Sequence, residues 1–261
     1  GDISMSLGIF SLIIALYAHQ KKDIKLTTLS VISGLCGIVG SLLSTARGGW
    51  VALPVLLVVI LYIYRHSLSK RFFLTLFGIM VATSIGISQM PNNRIMERID
   101  VAQKDIQLYL DNHDGNTSLG ARFEMWKSAL EMAKEKPLFG WGIQGATEKR
   151  KRDTEEKIAT GNIGQFTHAH NQYLDDLSKR GIVGLFALLA GLLIPLRALM
   201  KKLNPTNDEV KLIATLGVAH ILSVMIYGLS QGFLVHNSGT IFYFFLTIVF
   251  YAAIRTHQKA E

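Results

Sequence analysis

The chain contains a single cysteine, Cys36, so it has no intrachain disulfide and no cysteine-based metal cluster. It also has little charge over long stretches, because seven runs of about 15 to 20 residues hold almost no charged side chain. These runs cover roughly 3–19, 26–44, 50–64, 71–90, 181–200, 211–229 and 235–254. A soluble protein with seven apolar helices would need polar helices to cover them, and the sequence does not offer those. The pattern therefore predicts a polytopic membrane protein.

The lengths of the runs fit membrane spans. A helix rises about 1.5 Å per residue, so about 20 residues cross a hydrocarbon core about 30 Å thick. The run 50–64 is short, but Trp50, Tyr62 and Tyr64 at its ends suit the membrane interface. We predict an all-α fold with about seven transmembrane helices. Close helix packing is expected where glycines recur, at Gly34, Gly37, Gly40, Gly181 and Gly184.

Positive charge is unevenly distributed between the loops. Twelve Lys and Arg side chains lie on one side, within 21–25, 65–71, 197–211 and 255–259. The short loops of the other side hold one, Arg47. Since basic loops stay in the cytoplasm, this side and the C-terminus are predicted to be cytoplasmic. The net charge of +8 follows from topology, and we predict no nucleic-acid partner.

Three regions follow from this topology. Residues 1–90 are predicted to form the first four spans of the chain, 91–180 a mostly helical periplasmic domain, and 181–261 the last three spans. The chain begins with Gly1 and shows no signal-peptide n-region, so we expect a fragment or a cleaved product that starts outside the cytoplasm.

The long outer segment should hold the chemistry, because the other loops are short. A helix is predicted after Pro91, and a second one, capped by Ser118 or Thr117, is closed by Pro137. An apolar face is expected on the second helix, formed by Leu119, Phe123, Trp126, Leu130 and Ala133. Arg122 falls on this apolar face. It either binds an anionic partner, because an unpaired buried charge is unfavourable, or extends its charge to water at the edge.

Two further stretches complete the outer segment. "PLFGWGIQGA" (137–146) predicts a turn or re-entrant loop, and it lacks the lysine of a nucleotide-binding P-loop. "TEKRKRDTEEKIATGN" (147–162) predicts a mobile, solvated loop, in which the basic run 149–152 either contacts phosphates or is soluble surface, and the charge density favours surface.

"FTHAHNQYLDDLSKRGIVG" (166–184) contains two histidines. Thr167 is expected to cap a helix over 168–180, on which His168 and His170 lie about 200° apart. His170 then falls on the packed side, as a structural residue or as a general base. A metal site is not predicted, because the spacing suits a strand better than a helix and no further ligand is evident nearby.

Arg47 lies in "STARGG", between two spans, and two glycines after it free the backbone for a tight turn. An ionisable residue at the membrane boundary is a functional candidate. Arg47, Arg122 and His170 all lie on the outer side. Two cations and a base near a lipid surface suit an anionic, lipid-linked substrate, because the arginine fork matches phosphate oxygens. Arginines would also neutralise a departing diphosphate.

Three stretches resemble the O-antigen ligase and polymerase superfamily of bacterial envelope enzymes: "STARGG", "SLGARFEMWKSALEMAKEKPLFGWGIQG" and "HAHNQYLDDLSKRGIVG". The resemblance covers roughly residues 30–200. His170-Asn171, nine further residues and Gly181-x-x-Gly184 are similar to the signature of the ligase family. Members have about twelve spans, so the resemblance implies that this chain is a C-terminal portion.

The resemblance implies an inverting glycosyltransferase that needs no metal or other cofactor. Such an enzyme moves O-antigen from undecaprenyl diphosphate to a sugar hydroxyl of lipid A–core, in lipopolysaccharide biosynthesis at the periplasmic face of the inner membrane. His170 would deprotonate the acceptor hydroxyl, and Arg47 and Arg122 would hold the diphosphate as it leaves. We also assign Asn171 and Arg180, in the same stretch, to substrate binding.

Alternatives remain open at this point. An O-antigen polymerase or a protein-glycosylating ligase of the same superfamily would share the donor and differ in the acceptor, and the single-histidine signature favours a ligase over a polymerase. A polysaccharide transporter would place charges on broken helices near the membrane midplane. The predicted spans are nearly free of charge, which argues against transport.

Overall fold

The computed structural model describes residues 1–44, 47–66, 68 and 94–259, with Arg47 described by its backbone. Within these residues the chain forms nine α-helices, two 3₁₀ turns and no strand, which confirms the all-α class. The helices are α1 (Asp2–Gln20), α2 (Ile24–Leu43), α3 (Arg47–Tyr64), α4 (Arg94–Asn112), α5 (Ser118–Glu135), α6 (Gly142–Glu155), α7 (Gln172–Met200), α8 (Asp208–Gly228) and α9 (Asn237–Lys259). The 3₁₀ turns are Ile163–Gln165 and Phe233–Val235.

Five of the described helices, α1, α2, α7, α8 and α9, are long and apolar enough to cross a membrane. A shorter apolar helix, Gly48–Tyr64, corresponds to the predicted run 50–64. The predicted run 71–90 lies outside the described residues. Every other predicted run coincides with one of these helices, and the total of seven spans stays a prediction.

The basic loops gather at one end of the helix bundle. Lys21 Nζ, in the turn after α1, lies 2.7 Å from Asp208 Oδ2 at the start of α8. His257 Nδ1, near the end of α9, lies 3.1 Å from Glu209 Oε2. The turn after α1, the start of α8 and the C-terminal tail therefore share one end of the bundle, as the charge pattern requires.

The opposite end joins segments that are far apart in sequence. The side-chain amide of Gln231 donates to the carboxylate of Asp2 at the start of α1. The start of α3 lies beside them, because a Cβ added to Gly48 would be 3.1 Å from Ser230 Oγ. The segment 229–236 therefore bridges the first turns of α1 and α3.

In the bundle, glycines let α1 and α2 approach closely, and α8 packs against four other helices. A Cβ added to Gly37 would lie 2.7 Å from the Cα of Gly8, which confirms the predicted close approach of α2 to its neighbour. Helix α8 is the most enclosed, since it contacts α1, α3, α7 and α9. Its buried side chains include Val218, Ile221 and Val224.

The segment between the two sets of spans contains the two predicted helices, α4 and α5. Thr117 caps α5 as expected, with its Oγ1 accepting from Gly120 N at 3.0 Å. The predicted buried face of α5 is wrong. Met125, Ala129 and Met132 are buried, whereas Leu130 is largely exposed.

Helix α6 replaces most of the predicted solvated loop, which is a correction. Arg150 and Asp153 on α6 are both buried. Asp153 accepts from Lys149 Nζ at 2.8 Å and from Ser128 Oγ at 3.3 Å. Because two of the three buried residues on the inward face of α6 are charged and the third is only Ala146, hydrophobic periodicity does not reveal this face.

Helix α7 breaks at Gly181, whose φ of 65° and ψ of −163° are not helical. The turn that precedes α6 fills this break. Ile182 N donates to Pro137 O at 2.8 Å. Trp141 N donates to Ser178 O at 3.0 Å. The predicted boundary between the outer segment and the last three spans coincides with this break.

Candidate active site

His170 lies on a loop and not on a helix. The predicted helix start at residue 168 with a Thr167 cap is wrong, because α7 begins at Gln172. Asn171 caps α7, and its Oδ1 accepts from Tyr173 N at 3.0 Å. Asparagine is a stronger cap than threonine, which explains the later start. His170 has a φ of 49°, so the chain turns there into the helix.

The two histidines are neighbours, which corrects their predicted separation. The ring centroids of His168 and His170 lie 4.4 Å apart. A third imidazole, that of His236, lies 5.8 Å from that of His168. Sequence reasoning missed His236, since no local pattern connects it to the other two. Across the described ranges, no group of three or more His, Cys, Asp or Glu side chains is arranged to hold a metal ion.

A pocket of about 350 Å³ opens beside His170. Its walls come from the start of α5, the 3₁₀ turn Ile163–Gln165 and the loop 166–171 that carries His168 and His170, here called the histidine loop. Arg122 lines it together with His170, so the structure brings these two predicted site residues together. The other polar side chains of the wall include Asn116, Ser118, Asn162 and Gln165. A cationic side chain, an imidazole and hydroxyl and amide groups suit an anionic, carbohydrate-bearing ligand.

The electrostatics of the loop favour a neutral His170. Burial, assisted by the neighbouring His168, Arg122 and His236, lowers the pKa of His170 to about 4. Burial also lowers the pKa of His168. The imidazole of His170 is therefore uncharged at neutral pH and can accept a proton.

The backbone between the two histidines is firmly held. Ala169 is buried, and its carbonyl accepts from Trp126 Nε1 at 3.0 Å. Its amide donates to Asp175 Oδ1 at 2.9 Å. Trp126 therefore connects α5 to the histidine loop, a contact that helical periodicity does not predict.

Arg47 begins α3 at the same end of the bundle. Its neighbour Gly48 packs against the segment 229–236, as described above. On the same segment, a Cβ added to Gly232 would lie 3.5 Å from His168 Cδ2. The backbone of Arg47 and the histidine loop therefore border one common segment. The side chain of Arg47 lies outside the described atoms.

Asn171 and Arg180 have clear contacts within the protein. Besides capping α7, Asn171 donates from Nδ2 to Leu229 O at 3.2 Å, so both ends of its amide are in use. Arg180 forms an ion pair with Asp176, and its side chain is 51% exposed. Arg180 is thus open to solvent, whereas Asn171 joins α7 to the segment 229–236. Their roles in substrate binding stay predictions.

Comparison with known proteins decides the family. The model of the family described as O-antigen ligase matches residues 31–189, a range that contains Arg47, the whole pocket and the break in α7. The chain belongs to the O-antigen ligase family. The resemblance seen in the sequence is therefore confirmed.

Two individual proteins are also similar to this chain, and only one of them has a name that states a function. An uncharacterized protein of Haemophilus influenzae is 41% identical over 250 residues, which cover 96% of this chain and 63% of that protein. The O-antigen ligase of Escherichia coli is 23% identical over 188 residues, which cover 71% of this chain and 43% of that protein. This member of the O-antigen ligase family spans less than two thirds of the length of either relative.

Proposed function

We propose that the protein is an O-antigen ligase that moves O-antigen polysaccharide from undecaprenyl diphosphate to a sugar hydroxyl of lipid A–core. One observation carries the proposal: a neutral His170 and the cationic Arg122 line the same pocket of about 350 Å³. A base next to a fixed positive charge is what the transfer of a sugar from a diphosphate requires.

The proposed reaction is a single displacement with inversion. The acceptor hydroxyl oxygen attacks the anomeric carbon on the face opposite the diphosphate. The bond between that carbon and the diphosphate oxygen breaks, and its electron pair leaves with undecaprenyl diphosphate. His170 accepts the hydroxyl proton. Arg122 and Arg47 compensate the negative charge that builds up on the leaving oxygen.

The donor itself would prepare His170 for this step. In the protein without donor, burial and nearby positive charge hold the pKa of His170 at about 4. An anionic diphosphate beside Arg122 would offset that positive charge and raise the pKa of the imidazole. A base is most effective when its pKa is close to the working pH, so the base becomes stronger when the donor is bound.

We also propose the orientation of the site. The bundle end that carries 229–236 and the histidine loop would face the periplasm, and the end with Lys21 and the C-terminal tail would face the cytoplasm. The uneven distribution of positive charge supports this orientation. In this arrangement the pocket, in the segment 91–180, lies above the inner membrane, where a lipid-linked glycan can reach it from the side.

The test is transfer with defined components. The protein, expressed from its complete gene and placed in nanodiscs, receives a defined undecaprenyl-diphosphate glycan and purified lipid A–core. We expect lipid A–core to acquire the whole glycan, with release of undecaprenyl diphosphate, and the His170→Ala variant to transfer it at least roughly 100-fold more slowly. Growth of the donor glycan without transfer to lipid A–core would instead identify a polymerase. Transfer to protein alone would identify a protein-glycosylating ligase.

A further inference from the structure

Three charged side chains are buried beneath the histidine loop. Arg150 on α6 is 0% exposed, and Asp175 and Lys179 on α7 are 1% and 5% exposed. Burial of a charge is unfavourable unless other groups compensate it. The contacts of these three residues, here called the buried cluster, therefore show what they hold in place.

Within the buried cluster the carboxylate of Asp175 lies beside both cations, Lys179 and Arg150. Asp175 Oδ2 accepts from Lys179 Nζ at 2.6 Å. Asp175 Oδ1 lies 3.8 Å from Arg150 Nη1, beyond hydrogen-bond distance. Arg150 Nε and Nη1 have no hydrogen-bond partner among the residues that the structure describes. Arg150 is thus poorly compensated by its neighbours, and stability alone does not explain an arginine at this position.

The remaining polar atoms of the buried cluster hold the backbone of the histidine loop. Thr167 O accepts from Arg150 Nη2 at 3.1 Å and from Lys179 Nζ at 2.8 Å. Asp175 Oδ1 accepts from Ala169 N at 2.9 Å. Each of the three charged side chains therefore binds a backbone group of the loop, before and after His168.

His170 needs such support because its backbone is in the left-handed region, with a φ of 49°. A residue other than glycine persists there when the surrounding structure fixes it. The buried cluster holds the chain up to Ala169. On the other side, Asn171 holds it through its cap of α7 and its bond to Leu229 O. Both neighbours of His170 are thus fixed, which sets the direction of its Cα–Cβ bond and so the region that its imidazole can reach.

We propose that Arg150, Asp175 and Lys179 are positioning residues that aim the imidazole of His170 into the pocket it shares with Arg122. The inference rests on the proposed function for its kinetic readout, since His170 acts there as the base. None of the three residues of the buried cluster lines the pocket. The effect of the buried cluster passes through the backbone of the loop.

Substitutions at Arg150 separate positioning from stability. Arg150→Met removes the charge and the bond to Thr167 O, and leaves Asp175 paired with Lys179. Replacing a poorly compensated buried charge with an apolar side chain of similar size is often neutral or stabilising. We expect an unchanged or higher melting temperature, a kcat roughly 10- to 100-fold lower and a donor KM within about threefold of wild type. Arg150→Lys keeps the charge and should lose less kcat.

Lys151→Met is the matched control, because it removes one positive charge from the next position of α6, where the side chain is exposed. An activity-independent measurement runs in parallel. The protein, labelled at histidine Cε1 and held in nanodiscs without substrate, gives a His170 resonance that the His170→Gln variant assigns. We expect Arg150→Met to shift or broaden this resonance and Lys151→Met to leave it in place.

An unchanged His170 resonance in Arg150→Met and Arg150→Lys would overturn the proposal, even if the wild-type protein transfers glycan. Parallel loss of melting temperature and kcat in both variants would make the buried cluster a stability element and would overturn it as well. If Arg150→Met shifts the resonance but the wild-type protein transfers nothing to lipid A–core, the proposed function is refuted and the positioning of His170 is still supported.

Discussion

The imidazole rings of His168 and His170 lie 4.4 Å apart, with their planes inclined by 50°, on either side of the buried Ala169. The two rings are neighbours with different surroundings. His170 lines the pocket with Arg122, and Phe166 packs edge-on against its ring. His168 contacts His236 of the segment 229–236. The two neighbouring rings therefore have different surroundings, and substitutions can test the different roles proposed for them.

Replacing each histidine with alanine should give unequal losses. Loss of the proposed base in His170→Ala should lower kcat by roughly 10²- to 10⁴-fold. His168→Ala removes a ring contact and leaves the base in place, so we expect a loss of roughly 10-fold or less. Initial rates of transfer and thermal unfolding measure both variants. Equal losses in two folded variants would contradict the assignment of the base to His170.

The charge state of His170 should depend on the donor. Because burial and positive neighbours lower its pKa to about 4, the free protein should keep this imidazole neutral until the pH falls well below 6. Undecaprenyl diphosphate, as an unreactive anion, should raise the pKa. Titration of the histidine Cε1 resonances without and with undecaprenyl diphosphate measures both values. A midpoint near 6.5 in the free protein, or one that falls when the anion is added, would contradict the account.

The fork of Arg122 should matter more than its charge alone. Arg122→Lys keeps a positive charge at the pocket and loses the planar pair of donors that matches a phosphate. We expect kcat/KM for the donor to fall by roughly 10-fold or more and thermal stability to change little. Lys127→Gln on the same helix, where the side chain is exposed, is the control. Wild-type kcat/KM in Arg122→Lys would show that the fork does not bind the diphosphate.

The break in α7 should require glycine. Gly181→Ala places a Cβ 2.3 Å from the Leu138 carbonyl carbon at a φ of 65°, so it combines a clash with an unfavourable backbone. We expect a loss of stability on the order of 1–3 kcal/mol. Gly191→Ala in the same helix is the control, because a Cβ added at Gly191 meets no atom within 4 Å. Equal melting temperatures for the two variants in detergent would contradict the structural role of this glycine.

Much of the fold could be predicted from apolar runs and caps. The described spans coincide with charge-free stretches, and Thr117 marks the start of α5. Prediction failed where charged groups are buried. Glu124, expected on the exposed face of α5, accepts from Tyr109 Oη at 2.6 Å and from Thr160 N at 3.0 Å. A tertiary hydrogen bond to a distant residue leaves no mark on helical periodicity, so the inward face of α5 was assigned incorrectly.

The candidate site was predictable in its residue types and less so in its geometry. Arg122 and His170 were found by their position and by the family resemblance, and the structure places them at one pocket. The prediction that His170 lies in a helix is wrong, because Asn171 and not Thr167 caps α7, so His170 still belongs to the loop. Arg150 falls in the predicted solvated loop and is nevertheless buried, because Asp175 on α7 and the carbonyl of Thr167 lie beside it. Contacts between distant elements decide these features.

The central claim is that this chain, as a member of the O-antigen ligase family, transfers a glycan with His170 as the base and without a metal. The most direct measurement is transfer from undecaprenyl-diphosphate glycan to lipid A–core in nanodiscs with EDTA present. The account predicts glycosylated lipid A–core with wild-type protein and a rate lower by roughly 10²- to 10⁴-fold with a folded His170→Ala variant that still binds donor. Transfer by His170→Ala at the wild-type rate, or activity that EDTA abolishes and zinc restores, would contradict it.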